Sequence, residues 1–360
     1  MLVRTDEMID KEVAVEQGLQ LCRFAGDVYP TWDTLSPRRR MLILGAGKLA
    51  GELCRVVRSQ RFGMVEIIGA LVGGNERIEQ NQDVPGIIGT YEQVARVVEV
   101  QKVTTVVVCL EDRRSVLPVE QLLDLKAMGI DVLDGHQLFE EVSGRLSIDS
   151  LRPSALVFSN GFKQRMASRM MKRFIDILVA TCGLVVLCPL FLLVAFLIKV
   201  DSPGPVFYRQ VRVGLRGRPF HIWKFRSMVQ DAENAGPRWA QADDPRISRV
   251  GWWLRKTRVD EFPQLVNVLR GEMSLVGPRP ERPVFVQGLR KIIPYYDLRH
   301  TVRPGITGWA QVKFRYGASE EDAHMKLQYD LYYVKRLSVG IDMRILVHTV
   351  RVMCLGEGAQ

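Results

Sequence analysis

Between residues 41 and 150, short aliphatic runs alternate with stretches of helical periodicity. MLILGAG, VEIIGALVGG, TTVVVCL and GIDVLDG have strand length and β-branched content, and the spacers between them fit helices. Such alternation predicts a parallel sheet with helices on both faces, an α/β domain over 38–160 behind an N-terminal segment over 1–37.

The turn after the first predicted strand reads GAGKLAG, so Gly45, Gly47 and Ala50 follow the form G-x-G-x-x-A of dinucleotide-binding, Rossmann-like domains. Those glycines let a backbone approach a pyrophosphate at a helix N-terminus, or they simply make a tight strand-to-helix turn. The ribose-binding acid that the form wants is missing, because the second run closes in Gly73, Gly74 and Asn75 with Glu76 already in the loop. The domain therefore reads as regulatory or structural.

The periodicity changes at Asp176. Between it and Lys199 lie 22 residues without a charge, enough for roughly 33 Å of helix and so for a bilayer's hydrocarbon core. A buried core helix of this length would show a polar stripe. Lys163, Arg165, Arg169, Lys172 and Arg173 precede the run, and Lys199, Arg209, Arg212, Arg216 and Arg218 follow it. Cationic flanks stay cytoplasmic, so both ends favour one side. Pro189, after Cys188, removes a helical hydrogen bond near the middle. The expectation is a re-entrant helical hairpin over about 174–198, broken at Pro189, in preference to a full span.

Charge divides the chain in the same way. Residues 1–160 hold 18 Lys and Arg against 23 Asp and Glu, and residues 161–360 hold 32 against 17. The basic half must meet an anion: nucleic acid, acidic headgroups or a phosphorylated substrate. Cys22, Cys54, Cys109, Cys182, Cys188 and Cys354 form no CxxC pair or metal-like spacing, which predicts reduced thiols. MLVRTDEMIDKEV carries acids where a secretion signal would be apolar, so none is expected.

Within the basic half, RVDEFPQLVNVLRG sets Asp260 and Glu261 side by side before Pro263, a helix-starting proline, with Gly271 as the stop. The positive end of a helix would keep both carboxylates ionised. They could then act as nucleophile or Mg²⁺ ligands beside phosphate oxygens, or as a plain acidic cap. SLVGPRPE frames Arg279 with Pro278 and Pro280, presenting it rigidly for phosphate. FHIWKFRSM alternates as a strand, so Lys224 and Arg226 would share one face and could neutralise a diphosphate. RISRVGWWLRKTR interleaves Trp252 and Trp253 with five cations, which suits lipid headgroups or nucleic acid. RPGITGWAQV reads as a Gly/Pro-built loop and strand, and Tyr329, Tyr332 and Tyr333 as packing aromatics on a helix.

In this order behind a basic-flanked apolar helix, KFRSM, DEFPQLVNVLRGEMSLVGPRPE, RPGITGWAQV and YDLYYVKR closely resemble the bacterial sugar transferase family. Its members are monotopic polyprenyl-phosphate hexose-1-phosphate transferases that start exopolysaccharide and O-antigen repeat units. The likeness spans roughly residues 168–355 of a transferase domain over 161–360. It implies a membrane-associated α/β catalytic domain on the cytoplasmic face of the bacterial inner membrane. Its substrates would be a UDP-sugar and undecaprenyl phosphate, with inner-membrane lipid as partner, no nucleic acid, and room for a homo-oligomer.

By the same resemblance, Asp260 is the nucleophile that attacks the donor's β-phosphate, expels UMP and carries an aspartyl phospho-sugar; Asp260 and Glu261 hold Mg²⁺. Lys224 and Arg279 bind phosphate oxygens, Arg226 and Glu281 belong to the same substrate site, and Gln311 lies on the uridine side. Larger members usually carry several membrane-spanning helices ahead of a Rossmann-like domain, whereas residues 1–40 hold no apolar run of that length. The expectation is a short natural variant or a chain lacking an N-terminal part.

Two other classes fare worse. An NAD(P)-dependent sugar-nucleotide epimerase or dehydratase needs a Tyr-x-x-x-Lys pair after the sheet, and residues 100–165 contain no tyrosine. A nucleic-acid binder, held by salt-sensitive phosphate contacts, would explain the charge but not the uncharged helix.

Overall fold

The sheet foreseen in the first half is present. The computed structural model describes residues 39–59, 65–73, 83–110, 117–150, 161–162, 166–229, 244–314 and 319–355, in two units, Met1–Ser159 and Asn160–Gln360. In the first unit β1 (Arg39–Leu44), β2 (Val65–Val72), β3 (Ile87–Thr90), β4 (Thr105–Val108) and β5 (Asp131–Asp134) are all parallel, in the order β3-β2-β1-β4-β5. The connecting helices are α1 (Lys48–Ser59), α2 (Val94–Val100), α3 (Val119–Ala127) and α4 (Gly135–Ser143).

Alternate residues of β1 enter opposite layers. Met41 and Ile43 pack with Leu53 and Phe139, while Leu42 and Leu44 pack with Leu71, Val94 and Leu122. A strand wrapped on both faces has no polar side, which is why it reads as a continuous apolar run. The edge strand β3 escaped that test, because IIGT is short and its Ile87 and Ile88 are exposed.

At the glycine turn, Gly45 takes φ +103° and donates its N–H to Leu71 O at 2.9 Å. A Cβ there would lie 2.9 Å from the carbonyl oxygen of Cys109, and Ala50 is fully buried beneath. Close packing of the β1–α1 turn against the end of β4 thus accounts for Gly45. Gly74, Asn75 and Glu76 lie outside the described residues.

The second unit begins with α5 (Met166–Asp201), one helix of 36 residues with Pro189 inside it. The expected break does not end the helix, since the chain continues helically on both sides of Pro189. Its buried residues Asp176, Ala180, Val194 and Ile198 form a narrow stripe. Most of the rest is apolar and open: Val185, Val186 and Leu192 are 70%, 73% and 69% exposed, and only 11% of the most apolar stretch is buried.

Both ends of α5 dock on the same unit. Lys172 Nζ donates to Val276 O at 3.0 Å and pairs with Asp342 at 2.7 Å, and Arg173 donates to the carbonyls of Val268 and Leu269 at 2.7 and 3.0 Å. Asp176 Oδ1 accepts from Ser274 Oγ and Leu275 N at 3.1 and 3.0 Å. At the far end Val194 and Ile198 pack with Phe225 and Leu254. Lys163 and Arg165 lie outside the described residues.

The remaining elements are the antiparallel hairpin β6 (Phe207–Val213) and β7 (Pro219–Phe225), α6 (Arg249–Lys256), α7 (Gln264–Arg270), β8 (Ser274–Val276), α8 (Pro283–Ile292), β9 (Gly305–Thr307), α9 (Trp309–Lys313), α10 (Glu320–Lys335) and α11 (Val339–Leu355). Tyr332 stacks on Trp309 at 5.8 Å and Tyr333 Oη donates to Val276 O and Asp342, so these tyrosines pack the interior. Among the described residues the free cysteines include buried Cys54 and Cys109 and, on the exposed side of α5, Cys182 and Cys188.

Asp176 carries a specific prediction. Asp176→Ala leaves two buried donors without an acceptor, which should lower stability by about 2 kcal/mol. Chemical unfolding in detergent checks it, and unchanged stability would remove Asp176 from the docking of α5.

Candidate functional site

The acidic pair is placed by a strained entry and a firm exit. Ser248 Oγ caps α6 by accepting from Gly251 N at 3.0 Å. Two residues past that helix Arg258 adopts φ +55°, a left-handed conformation that costs a non-glycine residue roughly 1 kcal/mol or more. The chain then makes a 3₁₀ turn over Val259–Glu261 and runs through Pro263 into α7, which ends at Gly271 with φ +79°. Asp260 and Glu261 are each only 8% exposed.

Asn267, fully buried in the middle of α7, ties this turn to the hairpin. Its Oδ1 accepts from Trp223 N at 3.0 Å and its Nδ2 donates to His221 O and Glu272, each at 2.7 Å. The amide thus pairs with β7 as a further strand would, a use of asparagine hidden inside the apolar run PQLVNVLR. The next residue of β7, Lys224, reaches Glu261 Oε1 at 2.8 Å. On the other face Trp223 lies between the guanidinium groups of Arg209 and Arg270, at 3.8 and 5.5 Å from its ring.

A second cation arrives at the same oxygen. Arg279 Nη2 donates to Glu261 Oε1 at 2.8 Å. Its loop is interlocked with the one around β9: Gly277 N donates to Thr307 O at 2.9 Å and Gly305 N to Pro278 O at 3.0 Å. A Cβ on Gly277, Gly305 or Gly308 would come within 2.3 Å of backbone atoms of the facing loop, so the glycines of VGPRP and RPGITGW are needed for that approach. Arg279 O accepts from Arg299, a buried residue whose guanidinium also pairs with Asp330 at 2.8 Å and donates to Tyr296 Oη at 2.6 Å. Burial pushes the Asp330 carboxyl up to about 6 despite Arg299.

The helix start was expected to hold both carboxylates ionised; the structure separates them. Burial pushes Glu261 upward, but Arg279 and Lys224 more than offset it and hold the carboxyl well below the usual range. For Asp260 burial wins: it raises the carboxyl's proton affinity, Lys224, Arg255 and Arg279 oppose it only in part, and the neighbouring Glu261 charge adds to the rise. Two adjacent acids whose proton affinities are shifted in opposite directions can divide the work of binding and attack.

Three expected residues stand elsewhere. β7 ends at Phe225, and Arg226 turns away from Lys224 to donate to the carbonyls of Ser202 and Pro203, each at 2.7 Å, closing the C-terminal end of α5. The Arg226 backbone N–H still donates to Val206 O at 2.9 Å, so it is the carbonyls at the end of α5 that engage this side chain. Glu281 sits 3.7 Å from Arg212, at the outer side of the Arg279 loop. Gln311 folds back on its own loop, donating to Ile306 O at 3.2 Å. Arg255, Asn267 and Arg299 were missed as site residues; only Asn267, polar within an apolar helix, left a signal in the sequence.

Residues 167–356, just over half of the chain, match the family described as Bacterial sugar transferase. Over 231 residues the chain is 45% identical to a UDP-N-acetylgalactosamine-undecaprenyl-phosphate N-acetylgalactosaminephosphotransferase of Aeromonas hydrophila, covering 64% of this chain and 54% of that protein. It is 42% identical over 185 residues to a UDP-glucose:undecaprenyl-phosphate glucose-1-phosphate transferase of Escherichia coli strain K12, covering 51% and 40%. It is 32% identical over 322 residues to an undecaprenyl-phosphate glucose phosphotransferase of Komagataeibacter xylinus, covering 87% and 58%. The chain spans about half the length of these relatives.

The opposite shifts of the two acids predict opposite effects of neutralising them. A depressed carboxyl such as Glu261 stabilises the fold above its ordinary value of 4.5, and that contribution is lost as pH falls through the folded value. A raised one such as Asp260 destabilises the fold while ionised. At pH 7, Glu261→Gln should therefore lower stability by roughly 2 kcal/mol, leaving two part-buried cations without their counter-charge, whereas Asp260→Asn should leave it unchanged or raise it. Thermal unfolding of both variants decides, and the reverse order would overturn the assignment.

Proposed function

This chain belongs to the bacterial sugar transferase family, and we propose that it transfers a sugar 1-phosphate from a UDP-sugar to undecaprenyl phosphate. The products are undecaprenyl-diphospho-sugar and UMP, and the reaction opens the assembly of an exopolysaccharide or O-antigen unit. The observation that carries this reading is the contrast between the acids. Glu261 is engaged by Lys224 and Arg279, while Asp260 is desolvated beside the same cations and has raised basicity.

In the proposed path a carboxylate oxygen of Asp260 attacks the donor's β-phosphorus as the bond to the bridging oxygen breaks, and UMP leaves with that electron pair. The aspartyl phospho-sugar is then attacked by a phosphate oxygen of undecaprenyl phosphate, which returns Asp260 as a free carboxylate. Lys224, Arg255 and Arg279 offset phosphate charge around the reacting phosphorus. Two adjacent carboxylates suit a Mg²⁺, so Asp260 and Glu261 would hold it; bound there, it would offset phosphate charge.

The apolar face of α5 supports placement in lipid, and the docking of both its ends on one unit supports a re-entrant hairpin entering from the cytoplasmic side and bending at Pro189. The first unit, by its strand order, reads as a Rossmann-like domain.

Asp260→Asn should reduce UMP release at least about a thousandfold while the protein still folds and sediments with membranes. A donor labelled in the β-phosphate should leave label on the parent protein and none on this variant; full turnover by the variant excludes the covalent path. For the hairpin, cysteines introduced on both flanks of α5 should react with a cytoplasmic maleimide, and Pro189→Ala should protect one of them. Unchanged labelling would take the proline out of the account.

A further inference from the structure

On the face of β6 that adjoins Lys224, three polar side chains stand in a row. Tyr208, Gln210 and Arg212 are half-buried and alternate with the exposed Phe207, Arg209 and Val211. Tyr208 is the register partner of Lys224 on β7. Directly opposed residues of an antiparallel pair share a face, with Cβ atoms about 5 Å apart.

The row is continuous. Gln210 Nε2 donates to Tyr208 Oη at 3.0 Å, and Gln210 Oε1 accepts from Arg212 Nε and Nη2 at 2.9 and 2.6 Å. Arg212 Nη1 donates onward to Pro280 O at 2.9 Å, and Val213 N donates to Glu281 O at 2.9 Å. Bonds therefore run from the neighbour of Lys224 to the peptide that follows Arg279. Lys224 and Arg279 meet at Glu261 Oε1, so the row begins beside one of these cations and ends on the loop that carries the other.

Two cations converging on one oxygen repel each other, so something besides Glu261 must set their separation. Pro278 and Pro280 have no N–H, which leaves the carbonyls for tying down the Arg279 loop. Arg299 takes the carbonyl of Arg279, and Arg212 takes that of Pro280. Arg212 is oriented in turn by Gln210, whose amide accepts from Arg212 and donates to Tyr208, and Glu281 lies 3.7 Å from the same guanidinium.

We infer that Gln210 is a positioning residue: it holds Arg212 on the Arg279 loop and Tyr208 beside Lys224, and so fixes the spacing of the two cations for a nucleoside diphosphate. The identity of that ligand rests on the proposed function. Leucine at position 210 would keep the volume and lose both polar contacts, whereas glutamate would keep acceptance from Arg212 and lose donation to Tyr208.

The test uses the full chain in nanodiscs, with UDP as the binding probe and UDP-sugar turnover as the kinetic one. Gln210→Leu should weaken UDP binding and raise the donor KM about tenfold, as expected for losing hydrogen bonds to a charged group. Its KM for undecaprenyl phosphate should stay within about twofold of the parent. Gln210→Glu should recover part of the donor affinity. UDP binding equal to the parent's, or equal losses in both KM values and kcat, would overturn the inference, the latter because a loosened fold does not discriminate between substrates. Should Gln210→Leu not fold, Tyr208→Phe must still raise the donor KM in the same direction by a smaller factor, and an unchanged value overturns it. A parent that turns over no UDP-sugar sinks the proposed function, while the UDP titration still decides the role of Gln210; a parent that binds no UDP sinks both.

Discussion

A single carboxylate oxygen that receives two cations from different elements is the constraint around which the second unit is organised. Lys224 comes from β7 and Arg279 from the loop after β8, each 2.8 Å from Glu261 Oε1. Neither element is near the acidic turn in sequence, so each needs its own attachment. Asn267 supplies it for the hairpin by completing the edge of β7 from within α7, and the interlocked glycines supply it for the loop. A buried ion pair of this kind contributes little net stability, because desolvation consumes most of the attraction. What it yields is a fixed electrostatic frame beside Asp260.

The apolar helix shares that frame. Val276, the residue before Gly277, accepts hydrogen bonds from Lys172 of α5 and Tyr333 of α10, and Asp342 of α11 joins both of them. The first turns of α5 are thus bonded to the strand that leads into the Arg279 loop. The other end of the helix is closed by Arg226, one residue beyond β7. The exposed apolar surface of α5 and the cluster of Lys224, Arg279 and Glu261 hang on the same few backbone segments.

Sequence patterns revealed those features that depend on local periodicity. The strands buried on both faces, the apolar stretch within α5, and the start and stop of α7 at Pro263 and Gly271 could all be read from apolar runs and helix-end chemistry. β3 could not, because a short exposed edge strand has no such run. Lys224 and Arg279 were found by their neighbours in sequence, and the structure brings them together; Arg226, two residues from Lys224, engages carbonyls at the end of α5 instead, which alternation alone does not reveal. The unequal state of Asp260 and Glu261 was beyond reach, since it arises from burial and from cations 36 residues upstream and 18 downstream of the pair.

Under the proposed function, the prolines on either side of Arg279 also determine how a phosphate would be recognised at this loop. Phosphate cradles built from glycine-rich turns present rows of amide protons, and their shape is inherited by every ligand that enters. Here two of the amides that could have served are missing, and anion recognition passes to side-chain tips whose reach depends on rotamer and on the neighbours that brace them. Such a surface can be retuned by single substitutions while the main chain stays as it is.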